Sequence, residues 1–311
     1  MPLNTVRAMS FKPLEPNPIL AILLAGALFF SLFLRDGHSF PSEPTNLPLG
    51  EYVAFQPDGG IRRFIGETLH IDISFLWFEN AATARVRLYE QDGVIYSTLE
   101  AETSGFVGFL TDYRKHYYKA TFDIMDNGKR VRSRKFERKV IIGGQEEQTR
   151  NIFDYDTHTH WWYREIDGEQ VENGSRDIPR NVCFDDILAV FYNFRNGIYG
   201  KVDKGTRYTI HTVPEKGVDK IQVHIMNPSE QKDFMSQEGR KNREEFLLKV
   251  IIPKEIFHTK TGELLFWSSK HLIPLETTVK DYILLGDLHA KLNRRTTDDS
   301  LKISTEKVGL K

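Results

Sequence analysis

From Gly66 onward the chain alternates apolar and polar positions. In TLHIDISFLW every odd position from Leu69 to Trp77 is apolar, while Thr68, His70, Asp72 and Ser74 are polar. A period of two puts the apolar side chains on one face of a strand and leaves the other face wet. Ala84, Val86 and Leu88 alternate in the same way with Arg85, Arg87 and Tyr89, and Tyr118, Ala120, Phe122 and Ile124 with Lys119, Thr121 and Asp123. Gln91-Asp92-Gly93, Asp126-Asn127-Gly128-Lys129 and Asp167-Gly168 separate such runs, and Asn-Gly and Asp-Gly pairs readily take the positive φ angles of tight hairpins. HWWYREI, EQVEN, TRYTIHTV, DKIQVHIM, EFLLKVII, GELLFWSS, IPLETTVK and DLHAKL continue the series. About a dozen antiparallel strands on short turns predict a mainly β fold, either a curved antiparallel sheet or an incomplete β-barrel.

One segment breaks the pattern. In CFDDILAVFYNFRNG, Cys183 to Gly197, the residues Ile187, Val190, Phe191 and Phe194 recur at i, i+3, i+4 and i+7. That spacing stacks them on one face of a helix. Asp185 or Asp186 can cap its start and Asn196-Gly197 its end. A curved sheet with one wet face leaves a concave face to be covered. The helix is predicted to lie there, either as a core plug or as one wall of an apolar ligand cavity.

The strongest change in composition is at the N-terminus. Ile19 to Leu34, ILAILLAGALFFSLFL, is apolar except for Gly26 and Ser31. As a helix it covers roughly 24 Å, a little short of a hydrocarbon core of ~30 Å. Arg7 and Lys12 precede it, which orients residues 1–18 to the cytoplasm and the remainder across the membrane. No small-x-small site follows, so an uncleaved signal anchor is preferred to a cleaved signal peptide. Residues 35–49, rich in Pro, Ser and Gly, read as a linker. The organisation expected is therefore a single-pass inner-membrane anchor at 19–34, a periplasmic β-rich domain at 50–293, and a polar, frayed tail at 294–311. The alternative is release to the periplasm after cleavage. The polar, charge-mixed stretch from Asn227 to Glu245 reads as a mobile hairpin tip or loop.

FDDILAVFYNFR, YTIHTV with DKIQVHIM, and LLFWSSKHLIPLETTV followed by GDLHAKL together resemble an uncharacterised family of exported bacterial proteins, domain of unknown function 3108. The resemblance is carried by Asp186, Tyr192, Arg195, Trp267, Ile273, Pro274 and Gly286, with GETLHIDISF at Gly66 resembling the family's opening strand. It covers residues 50 to 293 and is densest after Asp185. Lys270 and His271 stand where the family carries an acidic residue. The resemblance implies an envelope location and a β-rich fold, and no activity.

Charge adds an exclusion. Lys plus Arg (42) nearly cancels Asp plus Glu (43), which gives no electrostatic case for nucleic acid. The single cysteine, Cys183, forms no intrachain disulfide and reads as a buried thiol. His158 and His160, two apart, share a strand face and can hold a metal ion with Asp154 or Asp156; the plainer reading is a solvated strand edge. Asp287 and His289 form a similar pair. No cofactor motif is present. Trp161 and Trp162 are candidates for ligand or membrane contact, and Trp267, Phe191, Tyr192, Phe194 and Arg195 for the ligand wall. Arg130, Arg132, Arg134 and Arg138 fall on one face of a basic strand that can meet lipid or lipopolysaccharide phosphates, or can be a solvated outer face. GFVGFL, Gly105 to Leu110, dips into lipid if it is an exposed tip and is an ordinary core turn if buried. No nucleophile signature such as G-x-S-x-G or HExxH occurs.

The expectation is a non-catalytic envelope protein. It binds a lipid, another amphipathic ligand or an envelope-assembly partner. One alternative is an enzyme on envelope polysaccharide or peptidoglycan that uses paired carboxylates. The other is a scaffold that pairs through its sheet edges.

Overall fold

The computed structural model describes residues 59–75, 78–180, 182–215, 218–238, 245–256, 259–282 and 286–298. The anchor at 19–34, the linker and residues 299–311 lie outside the described residues. Among the described residues no helix is long and apolar enough to cross a membrane.

Fourteen strands form one antiparallel open sheet. They are β1 (Glu67–Phe75), β2 (Phe78–Gln91), β3 (Val94–Thr103), β4 (Lys115–Met125), β5 (Arg130–Ile142), β6 (Gln145–Asp154), β7 (Thr159–Ile166) and β8 (Glu169–Asp177), then β9 (Arg207–Glu215), β10 (Val218–Ile225), β11 (Phe246–Ile251), β12 (Glu263–Ser268), β13 (Pro274–Val279) and β14 (Leu288–Thr297). The spatial order runs from β8 down to β1 and then from β14 down to β9. Two meanders are thus joined by one non-sequential pairing, β1 with β14. Residues 294–297, expected to fray, belong to this seam: Arg294 faces His70 and Thr297 faces Glu67.

The hairpins follow the local turn chemistry. Asp92 (φ 52°) and Gly93 (φ 76°) connect β2 to β3, a two-residue turn with both residues left-handed.

The segment between β8 and β9 runs from one edge of the sheet to the other and carries the amphipathic helix, α2 (Ile187–Arg195); a shorter helix, α1 (Gly105–Leu110), precedes β4. Asp186 caps α2 by accepting from Leu188 N–H (2.8 Å) and Ala189 N–H (3.1 Å). Asp185 N–H donates to the His211 carbonyl on β9 (3.0 Å), and Asn193 bonds Val131 on β5. One helix reaches two strands that stand far apart in the sheet order, so the sheet curls around it. Tyr118 on β4, fully buried, likewise donates to the Ile256 carbonyl beyond β11 (2.6 Å).

The Asn227–Glu245 stretch is not a mobile tip where it is described. Pro228–Gln237 forms helix α3, started by a capping box in which Asn227 accepts from the Glu230 N–H and Glu230 accepts from the Asn227 N–H. Its Met235 packs with Leu247, Leu265 and Trp267, joined by Met226 and Phe234. On β12 these are the odd positions, and Leu264, Phe266 and Ser268 face the other way. Both faces of this part of the sheet are covered, which is why FLLKVI and ELLFW are apolar almost throughout.

Asn227→Ala removes the reciprocal cap and should lower stability by about 1 kcal/mol, read as a lower midpoint in chemical unfolding followed by tryptophan emission.

Candidate functional site

The helix is asymmetric in what it touches. One side is bonded to the sheet. Asn193 Oδ1 accepts from Val131 N–H (3.0 Å) and Nδ2 donates to the Val131 carbonyl (2.8 Å), so its amide completes the strand's own ladder. Ser133 Oγ donates to Asp186 (2.7 Å) and accepts from its N–H (2.8 Å). Asp185 accepts from Arg130 (2.7 Å) and Tyr199 (2.8 Å), and Asn196 donates to the Gly59 and Lys129 carbonyls. At the far end Arg195 donates to both oxygens of Glu67 (2.5 and 2.9 Å), and Arg295 donates to the same carboxylate (2.7 Å). The Arg195 guanidinium lies 4.6 Å from the Phe64 ring centre and 5.0 Å from that of Phe191.

The other side faces a void. A cavity of about 320 Å³ lies between Ile187, Val190, Phe191 and Phe194 of α2 and inward side chains of β1–β3 and β10–β14, among them Ile71, Ala84, Val223, Phe266 and Ala290. Its few polar lining residues are His116, Arg195, Ser268, Thr277 and Tyr282, and no carboxylate lines it among the described residues. A smaller cavity of about 70 Å³ adjoins it, sharing Ile73, Ala101, His116, Tyr282 and Leu288, and reaches Val107 of α1.

Burial shifts the carboxyls at the helix start. Asp186 is fully buried, and the loss of solvent pushes its pKa up to about 7 against the opposing bonds from Ser133, Ala189 and Leu188. Burial also raises Asp185, outweighing Arg130, Tyr199 and Asn193. Glu67 goes the other way. Burial alone would raise it, but Arg195 and Arg295 together hold it below the usual carboxylate range.

The candidate residues divide. Phe191, Phe194 and Arg195 line the cavity. Tyr192 is fully buried 5.8 Å from Phe64 and is not in the cavity wall. Trp267 belongs to the opposite face under α3, because it is one residue out of phase with the lining positions of β12. Trp161 and Trp162, on β7, are also outside the cavity wall. Trp162 lies under Arg176 and so close to Gly174 that a β-carbon there would sit 2.3 Å from its ring.

The two histidine–aspartate pairs are placed as follows. His158 is not on a strand; it has φ 54° in the turn before β7. His160 is fully buried, stacked 4.5 Å from Phe153, bonded to Asn151 (2.9 Å) and accepting from Arg176 (3.2 Å). Burial, helped by Arg176, depresses its pKa to about 3, so it is neutral. Asp287 is held by Lys280 (2.6 Å). Among the described residues no group of three or more His, Cys, Asp or Glu is placed to hold a metal ion.

The four arginines of β5 do not share a face. Thr121 faces Lys135 and Phe122 faces Ser133, so Arg134 is the extra residue of a β-bulge. The bulge reverses the alternation: Val131 and Ser133 are buried before it, and Phe136, Arg138 and Val140 after it. Arg138 is therefore interior. Arg130 is engaged by Asp185, and Asp123 holds Arg132 (3.1 Å) and Arg134 (3.8 Å). Cys183 is half-buried.

Glu67 was not a candidate from the sequence, although it has the same parity as Leu69 to Phe75. An acid in phase with an apolar strand face is the signal for a buried, paired carboxylate.

No protein-family model matches the chain. No curated protein matches it significantly. Among solved structures it is similar to a β-barrel-like protein of Domain of Unknown Function DUF1849 from Brucella abortus, at 12% identity, over 76% of this chain and 99% of that one, with a TM-score of 0.30.

Glu67→Ala leaves two guanidinium groups without their shared carboxylate and should destabilise by about 3–5 kcal/mol, measured by urea unfolding. Asp186 gives a pH test. Folded, it holds its proton to about pH 7; unfolded, only to the ordinary ~4. The folded state therefore binds the extra proton between these values, and this contribution to stability is full below pH ~4 and is lost as pH rises to 7. Asp186→Asn keeps the cap without the titration. Its stability relative to the parent should rise from pH 4 to 7 by a few kcal/mol at most, at roughly 1.4 per pKa unit.

Proposed function

We propose that this protein binds an apolar or amphipathic small molecule, of the lipid class, in the cavity between α2 and the sheet, and that it does so without catalysing a reaction. The observation that carries the reading is the cavity itself: about 320 Å³, within the range of small-molecule sites, with almost entirely apolar walls. A dry void of that size forfeits on the order of several kcal/mol relative to a filled core, at roughly 24 cal/mol per Å³. Total stabilities are only about 5–15 kcal/mol. A lipophilic occupant recovers that loss.

The lining favours binding over chemistry on glycans. Paired-acid hydrolysis needs two carboxyl groups about 5–9.5 Å apart in an open groove, and this cavity presents none among its described lining residues. Pairing through a sheet edge is the second reading, and one observation favours it. All nine residues of β8 are at the surface or close to it, at an open edge of the sheet.

An envelope location on the far side of the inner membrane, tethered by residues 19–34, belongs to the same proposal and rests on the apolar run and its preceding basic residues. So does kinship with domain of unknown function 3108. Two of the residues that carry that resemblance, Asp186 and Arg195, are the ones that cap and pin the helix.

The test is saturable binding of an environment-sensitive apolar dye, displaced by fatty acids or lysolipids, together with native mass spectrometry of co-purified lipid. Ala84→Trp on the cavity wall should weaken dye binding by about tenfold, ~1.4 kcal/mol, while the folded state is retained. Absence of dye binding and of co-purified lipid in the parent protein would overturn the reading.

A further inference from the structure

We infer that the turn carrying α1 is a membrane-docking tip, which seats the mouth of the cavity on a phospholipid bilayer. The inference extends the lipid-binding reading, and its readout is separate.

Four large hydrophobic side chains stand out as exposed among the described residues, and three fall within nine positions: Phe109 (65%), Tyr113 (55%) and Tyr117 (40%). The first two are in or just after α1, and the third is at the start of β4. Tyr117 stands on the outer face of β4 among Glu100, Arg87 and Glu137, so Phe109 and Tyr113 are the exposed aromatics of the turn itself, and two large exposed rings on one short turn call for an explanation. Phe and Tyr are suited to the boundary between headgroups and acyl chains, where one end of the ring is dry and the phenol is wet.

The tip is built rather than slack. Asp112 (φ 56°) and Tyr113 (φ 46°) are consecutive left-handed residues, each in a conformation that is costly for a residue with a side chain. Two bonds hold them there, Tyr113 N–H to the Gly108 carbonyl (2.7 Å) and Gly143 N–H to the Asp112 carbonyl (2.8 Å) from the next hairpin, while Thr111 N–H donates to the Val107 (3.0 Å) and Gly108 (3.2 Å) carbonyls just before them. A β-carbon at Gly108 would lie 2.9 Å from the Tyr113 ring, so glycine there lets the ring fold back over the helix. Val107 is the inward anchor, packed with Phe75 and Ala81.

The tip stands at the cavity's end. Val107, Thr111 and Arg114 line the smaller cavity, which shares five residues with the large one. The wall of the smaller cavity sets Ile73, Phe75, Ala81 and Leu288 beside Arg114 and His116, and it adjoins the large apolar cavity. Lys115 makes a long, exposed ion pair with Glu102 (3.8 Å), and lipid phosphate can take the place of that carboxylate at little cost.

The experiment uses the full chain with Cys183→Ser and a single probe site, Phe109→Cys or, on β8 as control, Val171→Cys, each labelled with nitrobenzoxadiazole. The proteins are mixed with vesicles of phosphatidylcholine and phosphatidylglycerol containing nitroxide-labelled lipid. Docking predicts a blue shift and several-fold stronger nitroxide quenching at 109 than at 171. This comparison holds whether or not residues 19–34 also enter the bilayer. Equal quenching at the two sites, or none at either, overturns the inference, as does shielding of 109 without quenching, which would mean a protein partner. Apolar-dye binding measured on the same Phe109→Cys protein reports the cavity independently. Dye binding without preferential quenching at 109 rejects the docking tip alone, and quenching without dye binding rejects the lipid cavity alone.

Discussion

The interior depends on the polar seam between α2 and the sheet. Asp185, Asp186, Asn193, Asn196 and Arg195 run along the helix from its cap to its end, and each is bonded to β5, to β1 or to a neighbouring loop. In a water-poor interior an unbonded amide or carboxylate is expensive, and a bonded one is satisfied in a single geometry. The seam therefore fixes both the rotation and the height of the helix. Once those are fixed, Ile187, Val190, Phe191 and Phe194 can only point the other way. A purely apolar helix would be free to roll and slide until it filled the space. This one is held against one wall, and the space opposite stays hollow.

The topology explains why the helix is where it is. Each meander grows outward from the β1–β14 seam, so the sheet ends at β8 and β9, which are consecutive in sequence. The chain must travel from one edge to the other. When the sheet curls, the shortest route passes through its interior, and the residues on that route need a helix to satisfy their own backbone groups. The bulge at Arg134 belongs to the same geometry. It bends β5 and turns Phe136, Arg138 and Val140 inward, beside the strand residues that bond to α2.

The cavity and the aromatic tip share an end of the molecule, and they differ in construction. The cavity walls are strands paired on both sides, with rigid spacing. The tip is a single turn held by its own backbone bonds, one from Gly143 and one ring on a glycine. On the lipid-binding reading proposed above, the turn carrying α1 stands at the bilayer end of a rigid pocket.

Local chemistry was readable from the chain wherever the period was clean. Most of the strands, the turns at Asp92-Gly93 and Asp167-Gly168, a cap at Asp185 or Asp186 and the apolar stripe of α2 follow from alternation, turn residues and side-chain acceptors within a few positions of one another. Strand β6, Gln145–Asp154, opens on a polar run with no alternation and was not read. The polar partners of that helix were not readable, because Glu67, Val131 and Ser133 lie 128, 62 and 53 positions from the residues they meet. Nor was the inward turn of Arg138. One extra residue in a strand reverses every side chain after it, and only pairing with the neighbouring strand reveals which residue is extra. Trp267 is the same lesson on the outer face: alternation separates two faces but does not say which is concave, and α3 makes both of them dry. Whether a core is full or hollow is a sum over many strands, and it exists only once they are all in place.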